Sequence, residues 1–367
     1  MNIVVCGDFY PTQEKPQMED LCEVIRGADY SLVNLECPVA TAEARPIKKV
    51  GPTLCCDESV VDYLTEMGVR CVTLANNHIA DYGAECVLST KSLLEAKGLD
   101  VVGVGCNQEQ AERFLLKEIA GVRLAIINCC ESEFSLATKN TPGANPLNPV
   151  RQYYAIQEAR SKADYVMVVV HGGHEYYPLP SPRMKETYRF FVDAGADAVV
   201  NHHQHCFSGY EVYRGKPIFY GLGNFYFPGD SKSAEWYRGI LLKLKLDDGG
   251  VAFDYVPYIQ CDGDYSVRRL HPSERTEFEE KMSRYVEIIE DDEQLSDCWT
   301  KYAEQRKTML QDAFSPYATY LTIALSKHGL LPKFLQPARL REALSAIRCE
   351  SHRDVLTYLL EKKTADE

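Results

Sequence analysis

Three apolar runs in this chain each end in a histidine-bearing cluster, and that repetition constrains the fold more than any other feature. Cys71-Val72-Thr73-Leu74 precedes Asn76-Asn77-His78, and Val166-Met167-Val168-Val169-Val170 precedes His171-Gly172-Gly173-His174. Ala198-Val199-Val200 precedes His202-His203-Gln204-His205, so that six of the nine histidines lie in the three clusters. Short β-branched runs of this kind read as buried strands. In α/β proteins the residues just past the carboxyl ends of such strands share one crevice. Neutral imidazoles that meet there with carboxylates form a transition-metal site.

The first two-thirds of the chain alternates apolar runs with amphipathic stretches. Asn2–Cys6, Tyr30–Asn34, Val69–Leu74, Val122–Cys129, Tyr165–Val170 and Ala198–Val200 read as strands. Glu58–Met67, Gly83–Ala96, Pro149–Ser161 and Pro182–Ala194 read as helices, several closing on a glycine. Strand and helix in alternation predict an α/β core with parallel pairing. From Pro217 the pattern becomes strand after strand: Pro217–Tyr220, Gly239–Leu246 and Val251–Tyr258, the last two joined by Asp247-Asp248-Gly249-Gly250 as an antiparallel hairpin. The sheets are therefore expected to be mixed. After about Tyr265 strand character disappears. Ser273–Asp312, Pro316–Lys327, Pro337–Ile347 and His352–Lys362 read as helices, which predicts a core of residues 1–265 and a helical carboxy-terminal appendage of residues 266–367.

Composition narrows the function. A formal net charge of −13 over 367 residues argues against nucleic acid or an anionic membrane surface as the main partner. The start Met1-Asn2-Ile3-Val4-Val5-Cys6 reads as a strand rather than a signal peptide, and no apolar run approaches the ~20 residues needed to span a bilayer. A cytoplasmic protein is the expectation. The fourteen cysteines include no Cys-x-x-Cys pair and sit largely in apolar strands, so they read as small buried hydrophobes. Gly103-x-Gly105 lacks the third glycine of a dinucleotide-binding turn, and no phosphate-binding glycine loop occurs.

Two acids belong with the histidines. Asp8 ends the first strand and Glu36 follows the second; either alone reads as a turn former or a surface acid. As a set with Asn77 and the histidines they suit Mn, Fe or Zn, and a mixture of oxygen and nitrogen donors often holds two ions. His203-Gln204-His205 places two imidazoles on one side of an extended segment, so each can serve one of two adjacent ions. His202 points the other way and reads as packing. Arg45, Lys48 and Lys49 form a basic cluster that reads as a solvated loop, with steering of an anionic substrate as the functional alternative. The isolated His271, His328 and His352 carry no such signal.

The order Gly7-Asp8, Asn34-Leu35-Glu36, Asn76-Asn77-His78, His171-x-Gly173-x-Glu175-Tyr176, His203-x-His205, Gly223-Asn224-Phe225 resembles the CapA family of capsule and poly-γ-glutamate synthesis proteins. That family belongs to the calcineurin-like metallophosphatase superfamily. The resemblance covers residues 1 to about 260 and leaves the helical tail outside. It implies a four-layer α/β/β/α sandwich with two divalent metals at the strand ends. Asp8 and His205 would hold one ion, and Asn77, His171 and His203 the other, with Glu36 bridging. His78 would be the general acid. Glu175 would orient substrate or act as a second base, or else hold His171 from behind, and Asn224 would fix the loop near the metals. Tyr10 stands where the superfamily usually has a histidine, and Glu36 where it usually has an aspartate, which leaves the first ion with few ligands.

The implied activity is that of a metal-dependent phosphoesterase acting on a small-molecule or polymer-precursor anionic substrate. A non-hydrolytic assembly factor in polyanion synthesis and a related amide-cleaving metallohydrolase are the alternatives.

Overall fold

The computed structural model describes residues 1–306 except 13–15, 42 and 230–232. Beyond 306 it describes residues 320–328, 330–331, 340–341, 343–344, 347, 349, 352–357 and 360. In chain order the amino-terminal half runs β1 (Asn2–Phe9), α1 (Glu19–Arg26), β2 (Tyr30–Leu35), α2 (Ser59–Met67), β3 (Cys71–Thr73), α3 (Ala84–Ala96) and β4 (Asp100–Val102). It continues through β5 (Val104–Gly105), α4 (Gln108–Ala111), β6 (Leu115–Ile119), β7 (Val122–Cys130) and β8 (Gly143–Ala144). Next come α5 (Pro149–Lys162), β9 (Tyr165–His171), α6 (Pro182–Asp193) and β10 (Ala198–His202). The last strands are β11 (Tyr210–Tyr213), β12 (Lys216–Phe219), β13 (Asn224–Tyr226), β14 (Arg238–Asp247), β15 (Gly250–Gln260) and β16 (Val267–Arg269), followed by α7 (Pro272–Glu290) and α8 (Asp292–Gln305).

The strands form two large sheets. One has the order β16-β15-β14-β1-β2-β3-β4, with β13 paired to β1; the other has the order β11-β12-β10-β9-β7-β6. Within the first, β1 to β4 are parallel and β14 to β16 antiparallel. Within the second, β7, β9, β10 and β12 are parallel. The alternation of side chains along each strand explains the layering. Ile3, Val5 and Leu32 face inward and pack with Leu124, Ile126, Met167, Val169 and Val200 of the opposite sheet. Val4, Cys6, Val33 and Val72 face outward onto α1, α2 and α3 through Leu21, Ile25, Leu64 and Val87. Helices α5 and α6 cover the outer face of the second sheet. The result is the mixed four-layer α/β/β/α sandwich implied by the resemblance.

Several elements were silent in the sequence for identifiable reasons. Helix α1 is only eight residues long, too short to be stable alone, and forms because Leu21, Cys22 and Ile25 are buried. Strand β6 lies at a sheet edge and carries no continuous apolar run. Its hairpin to β7 turns through Ala120 and Gly121, both at positive φ, where Asn-Gly or Asp-Gly is the usual signal. The cysteines carry no disulfide among the described residues, and burial pushes the Cys71 thiol up to about 12.

Chain contacts divide the molecule into Met1–Ser296 and Asp297–Glu367. Strand β16 lies beyond residue 265, where strand character was expected to end, and α7 packs within the first unit: Phe278 is fully buried, its ring 4.1 Å from that of Phe207. In the second unit a helix is present over Tyr320–Lys327. Residues 307–312 and 316–319, much of the expected helix Pro337–Ile347 and the end of His352–Lys362 lie outside the described residues.

Phe278→Ala is expected to lower the stability of the first unit by ~3–5 kcal/mol, the cost of emptying a buried aromatic site. A urea-unfolding midpoint that does not move would mean that α7 is not part of this core.

Candidate metal centre

The first strand delivers its aspartate through a close backbone approach. A Cβ on Gly7 would lie 1.9 Å from the Gly223 carbonyl oxygen, so only glycine lets β1 close against the turn before β13. The register of β1 against β2 shifts between Val5 and Asp8, an irregularity of the kind that re-aims a side chain. The Asp8 carboxylate accepts hydrogen bonds from the Asn34 amide at 2.7 Å and the His203 backbone N–H at 3.0 Å. Glu36 follows β2, its backbone N–H bonded to the Phe9 carbonyl at 3.0 Å. Both Glu36 carboxylate oxygens are buried with no hydrogen-bond partner.

Around that acid the fold gathers two groups of donors. Glu36, His171 and His203 form one; Asp8, Glu36 and His205 form the other; within each the ligand atoms all lie within 4.8 Å of one another. His171 Nε2 stands 3.1 Å from His203 Nδ1, 3.0 Å from Asn77 Oδ1 and 3.7 Å from Glu36 Oε1. Two imidazole nitrogens bound tetrahedrally to one ion at ~2.1 Å would be about 3.4 Å apart, close to this spacing. On the other side His205 Nε2 lies 3.5 Å from Glu36 Oε1. The His205 Nδ1–H donates to Asn224 Oδ1 at 2.9 Å, which leaves Nε2 as the nitrogen with a lone pair toward the acids. All six expected ligands therefore come together from five strand ends, and Glu36 is common to both groups.

Backbone strain collects here as well. Among the described residues, three of the six non-glycine residues with positive φ are Tyr176, His203 and His205. For bulky side chains this conformation is costly and is held only where the surroundings impose it.

Burial sets the electrostatics. It pushes the carboxyl of Glu36 well above its ordinary range, and the nearby charges of Asp8 and Glu175 push it further. Asp8 is raised too, by burial, against the opposing pull of His205 and its hydrogen bonds. Burial holds the imidazole of His171 well below its usual range and that of His203 below it, while His205 falls to about 4. Two buried acids beside neutral imidazoles form a donor set short of positive charge, which a divalent cation would supply. The residues fit such a group.

His78 and Glu175 stand outside both groups. His78 is buried, and its Nδ1–H donates to Asp81 Oδ2 at 2.6 Å. Glu175 is exposed, near enough for its charge to bear on Glu36 and His203. Tyr10 belongs to neither donor group and packs on Phe227 with ring centroids 4.8 Å apart. The His202 Nε2–H donates to the Cys6 carbonyl at 3.1 Å, and its imidazole is pushed down to about 3 by burial, in keeping with a packing role. Asn224 also donates to the Trp236 carbonyl at 3.2 Å, so it ties His205 to the Trp236 segment.

Lys49 corrects the reading of the basic loop. Arg45 and Lys48 are exposed, but the Lys49 side chain is only 2% exposed and its Nζ lies 2.5 Å from Asp81 Oδ1. Nothing in a run of three basic residues tells which one turns inward. Sequence reasoning also missed the aromatic wall beside His205, where Trp236 and Phe227 lie 5.1 and 5.0 Å from its ring and the half-exposed Tyr176 stacks on Trp236. It missed Glu133, which accepts from the Asn77 amide at 3.2 Å and so orients Asn77 Oδ1 toward His171.

The chain is 34% identical over 242 residues to Capsule biosynthesis protein CapA of Bacillus anthracis, covering 64% of this chain and 58% of that protein. It is 34% identical over 207 residues to PGA biosynthesis protein CapA of Bacillus subtilis, covering 56% of this chain and 54% of that one. The chain thus spans little more than half the length of these relatives. Among solved structures it resembles a hypothetical protein from Thermus thermophilus (TM-score 0.45, 18% identity, 71% of this chain and 99% of that one). A 5'-nucleotidase precursor from the same organism gives a TM-score of 0.44 at 14% identity, over 85% of this chain and 60% of that one. No helix among the described residues is long and apolar enough to cross a membrane. The family described as Bacterial capsule synthesis protein PGA_cap matches residues 4–229, a span that carries every candidate ligand from Asp8 to His205, and the chain belongs to that family.

Proposed function

We propose that this chain is a metal-dependent phosphoesterase that hydrolyses a phosphorylated small molecule or polymer precursor in the synthesis of a capsule or poly-γ-glutamate-type polymer. The observation that carries this reading is Glu36: a carboxylate with both oxygens buried, unpartnered and shared by two donor groups. Asp8, Glu36 and His205 would hold one divalent ion and Asn77, His171, His203 and Glu36 the other, with Mn, Fe or Zn suited to these donors. Such a pair, when bound, lowers the pKa of a shared water and balances charge on phosphoryl oxygens. His78, oriented by Asp81, would donate a proton to the leaving oxygen from Nε2. Glu175 at the rim would orient the substrate. The substrate would reach the site past Tyr176, whose ring is half exposed beside His205.

A second reading is an accessory role in polymer synthesis with little hydrolysis. It is favoured by Tyr10, which packs on Phe227 and leaves the Asp8 side with three donors, and by the biosynthetic names of the relatives.

Elemental analysis of the purified protein, with turnover of p-nitrophenyl phosphate and of its bis-ester with and without added Mn²⁺, separates the two. Two ions per chain and metal-stimulated hydrolysis support the enzyme; one ion or none, with no hydrolysis, supports the accessory role. His203→Ala and His205→Ala are each expected to lower metal content. His78→Asn is expected to keep the metal and lose about a hundredfold in turnover of an alkyl phosphate, the scale of a lost general acid. Full activity of that variant would remove His78 from the mechanism.

The raised carboxyls predict the sign of a pH effect. Because folding raises the Glu36 pKa, the metal-free fold holds a proton there that the unfolded chain has already lost. Its contribution to stability therefore declines as pH rises from the ordinary carboxylate range through the raised value. A cation takes the proton's place. Calorimetric titration with Zn²⁺ below that raised value should thus show protons released on binding, in buffers of different ionisation heat. Glu36→Gln should lower that release, leaving the share that comes from Asp8; an unchanged release would mean that the proton comes from elsewhere.

A further inference from the structure

Tyr176 combines a strained backbone with an exposed aromatic ring. It is held at a φ of 61°, a left-handed conformation that bulky side chains rarely adopt, and it is 47% exposed. The surroundings impose this. Its backbone N–H donates to the Gln204 carbonyl at 2.8 Å, and the Gln204 side-chain amide donates to the Tyr177 carbonyl at 2.9 Å. Strain pinned in this way beside a site points to a task for the side chain that it aims.

The ring is aimed along the metal centre. It stacks on Trp236 with centroids 5.8 Å apart and planes 23° apart, and its centroid lies 6.2 Å from that of His205. Trp236 is buried, and its indole N–H donates to the Phe227 carbonyl at 3.2 Å. The Trp236 carbonyl accepts from the side-chain amides of Asn224 and Gln260 at 3.2 and 3.0 Å, and Asn224 also holds His205. The frame that orients a candidate ligand therefore also backs the phenol ring. Such a ring offers a large contact area with little freedom left to lose on binding.

Charge narrows what the ring can receive. Glu175, the preceding residue, is exposed, and Glu133, also exposed, accepts from Asn77. Glu131 accepts from the Gly173 N–H at 2.9 Å. A ligand carrying a run of carboxylates would bring like charge to these acids. Hydroxyl groups instead donate to a carboxylate, which offers only acceptors. The negative face of an aromatic ring attracts the positively polarised C–H groups of a saturated ring. A pyranose has C–H groups on its faces and hydroxyls around its edge, which matches an aromatic ring with a carboxylate beside it.

We propose that Tyr176 and Glu175 form a sugar subsite beside the metal centre: the Tyr176 ring stacks on one face of a pyranose whose hydroxyls donate to Glu175, while the phosphoryl group of the same molecule meets the metal side. The substrate class is then a glycosyl phosphate. The inference deepens the proposed phosphoesterase reading and rests on it only for the phosphoryl end.

Calorimetry on the Mn²⁺-loaded full chain tests this with two probes that resist hydrolysis and differ in the sugar. One is the methylene phosphonate isostere of glucose 1-phosphate; the other is methylphosphonate. Wild type should bind the glucosyl probe about 10-fold more tightly, the upper scale of one aromatic contact. Tyr176→Phe should keep that preference, and Tyr176→Ala should bring the two affinities together. Metal content should be the same in both variants, since Tyr176 belongs to neither donor group. If Tyr176→Ala does not fold, Tyr176→Gly serves instead, because glycine accepts the left-handed backbone. Glu175→Ala should weaken the glucosyl probe more than methylphosphonate. Equal affinities in wild type, or a preference that survives the loss of the ring, would overturn the proposal. Tighter binding of the phosphonate isostere of uridine monophosphate than of the glucosyl probe would assign the ring to a base and overturn it too. Should wild type hydrolyse neither glucose 1-phosphate nor p-nitrophenyl phosphate while the preference holds, the phosphoesterase reading fails and the sugar subsite stands.

Discussion

The buried carboxylate of Glu36 is the constraint around which this molecule is arranged. A fold that removes both oxygens of an acid from water and gives them no hydrogen bond has left a large electrostatic cost open. Every nearby feature bears on it. Asp8 adds a second buried acid, His171 and His205 turn ring nitrogens toward the same oxygen, and His203 closes the first group. The groups behind them hold these donors in place: Asn34 on Asp8, Asn224 on His205 and Glu133 on Asn77. A cation is the simplest species that satisfies all of them together.

The sandwich makes this convergence possible. Two sheets packed face to face bring the carboxyl ends of β1, β2 and β3 opposite those of β9 and β10, so ligands distant in sequence become neighbours. The close contact at Gly7 and the positive φ values of His203 and His205 are local adjustments that a regular strand end would not need. They are concentrated where donors must be aimed, and the rest of the core is ordinary apolar packing.

Much of the architecture and most of the centre were legible in the sequence. Buried parallel strands announce themselves as β-branched runs, and the histidines after such runs lie at strand ends, where His171, His203 and His205 turn to the centre and His202 turns away. The elements that stayed hidden are those stabilised by tertiary contact rather than by their own pattern. Helix α1 is two turns long and β6 is an edge strand followed by an Ala-Gly turn; α7 was legible as a helix, but its place in the core through Phe278 was not. The same holds in the site. Lys49, Glu133 and the Trp236 wall are set by side-chain direction, which spacing does not encode, whereas Asp8, Glu36 and the histidines are set by strand ends, which it does.

The account stands or falls on whether Glu36 lies between two cations. Anomalous diffraction from crystals soaked in Mn²⁺ or Zn²⁺ tests this most directly. The account predicts two anomalous peaks about 3.5–4 Å apart, the spacing of paired-metal sites, with the Glu36 carboxylate bridging them. A single peak that leaves Glu36 on one side, or none within reach of its oxygens, would contradict it.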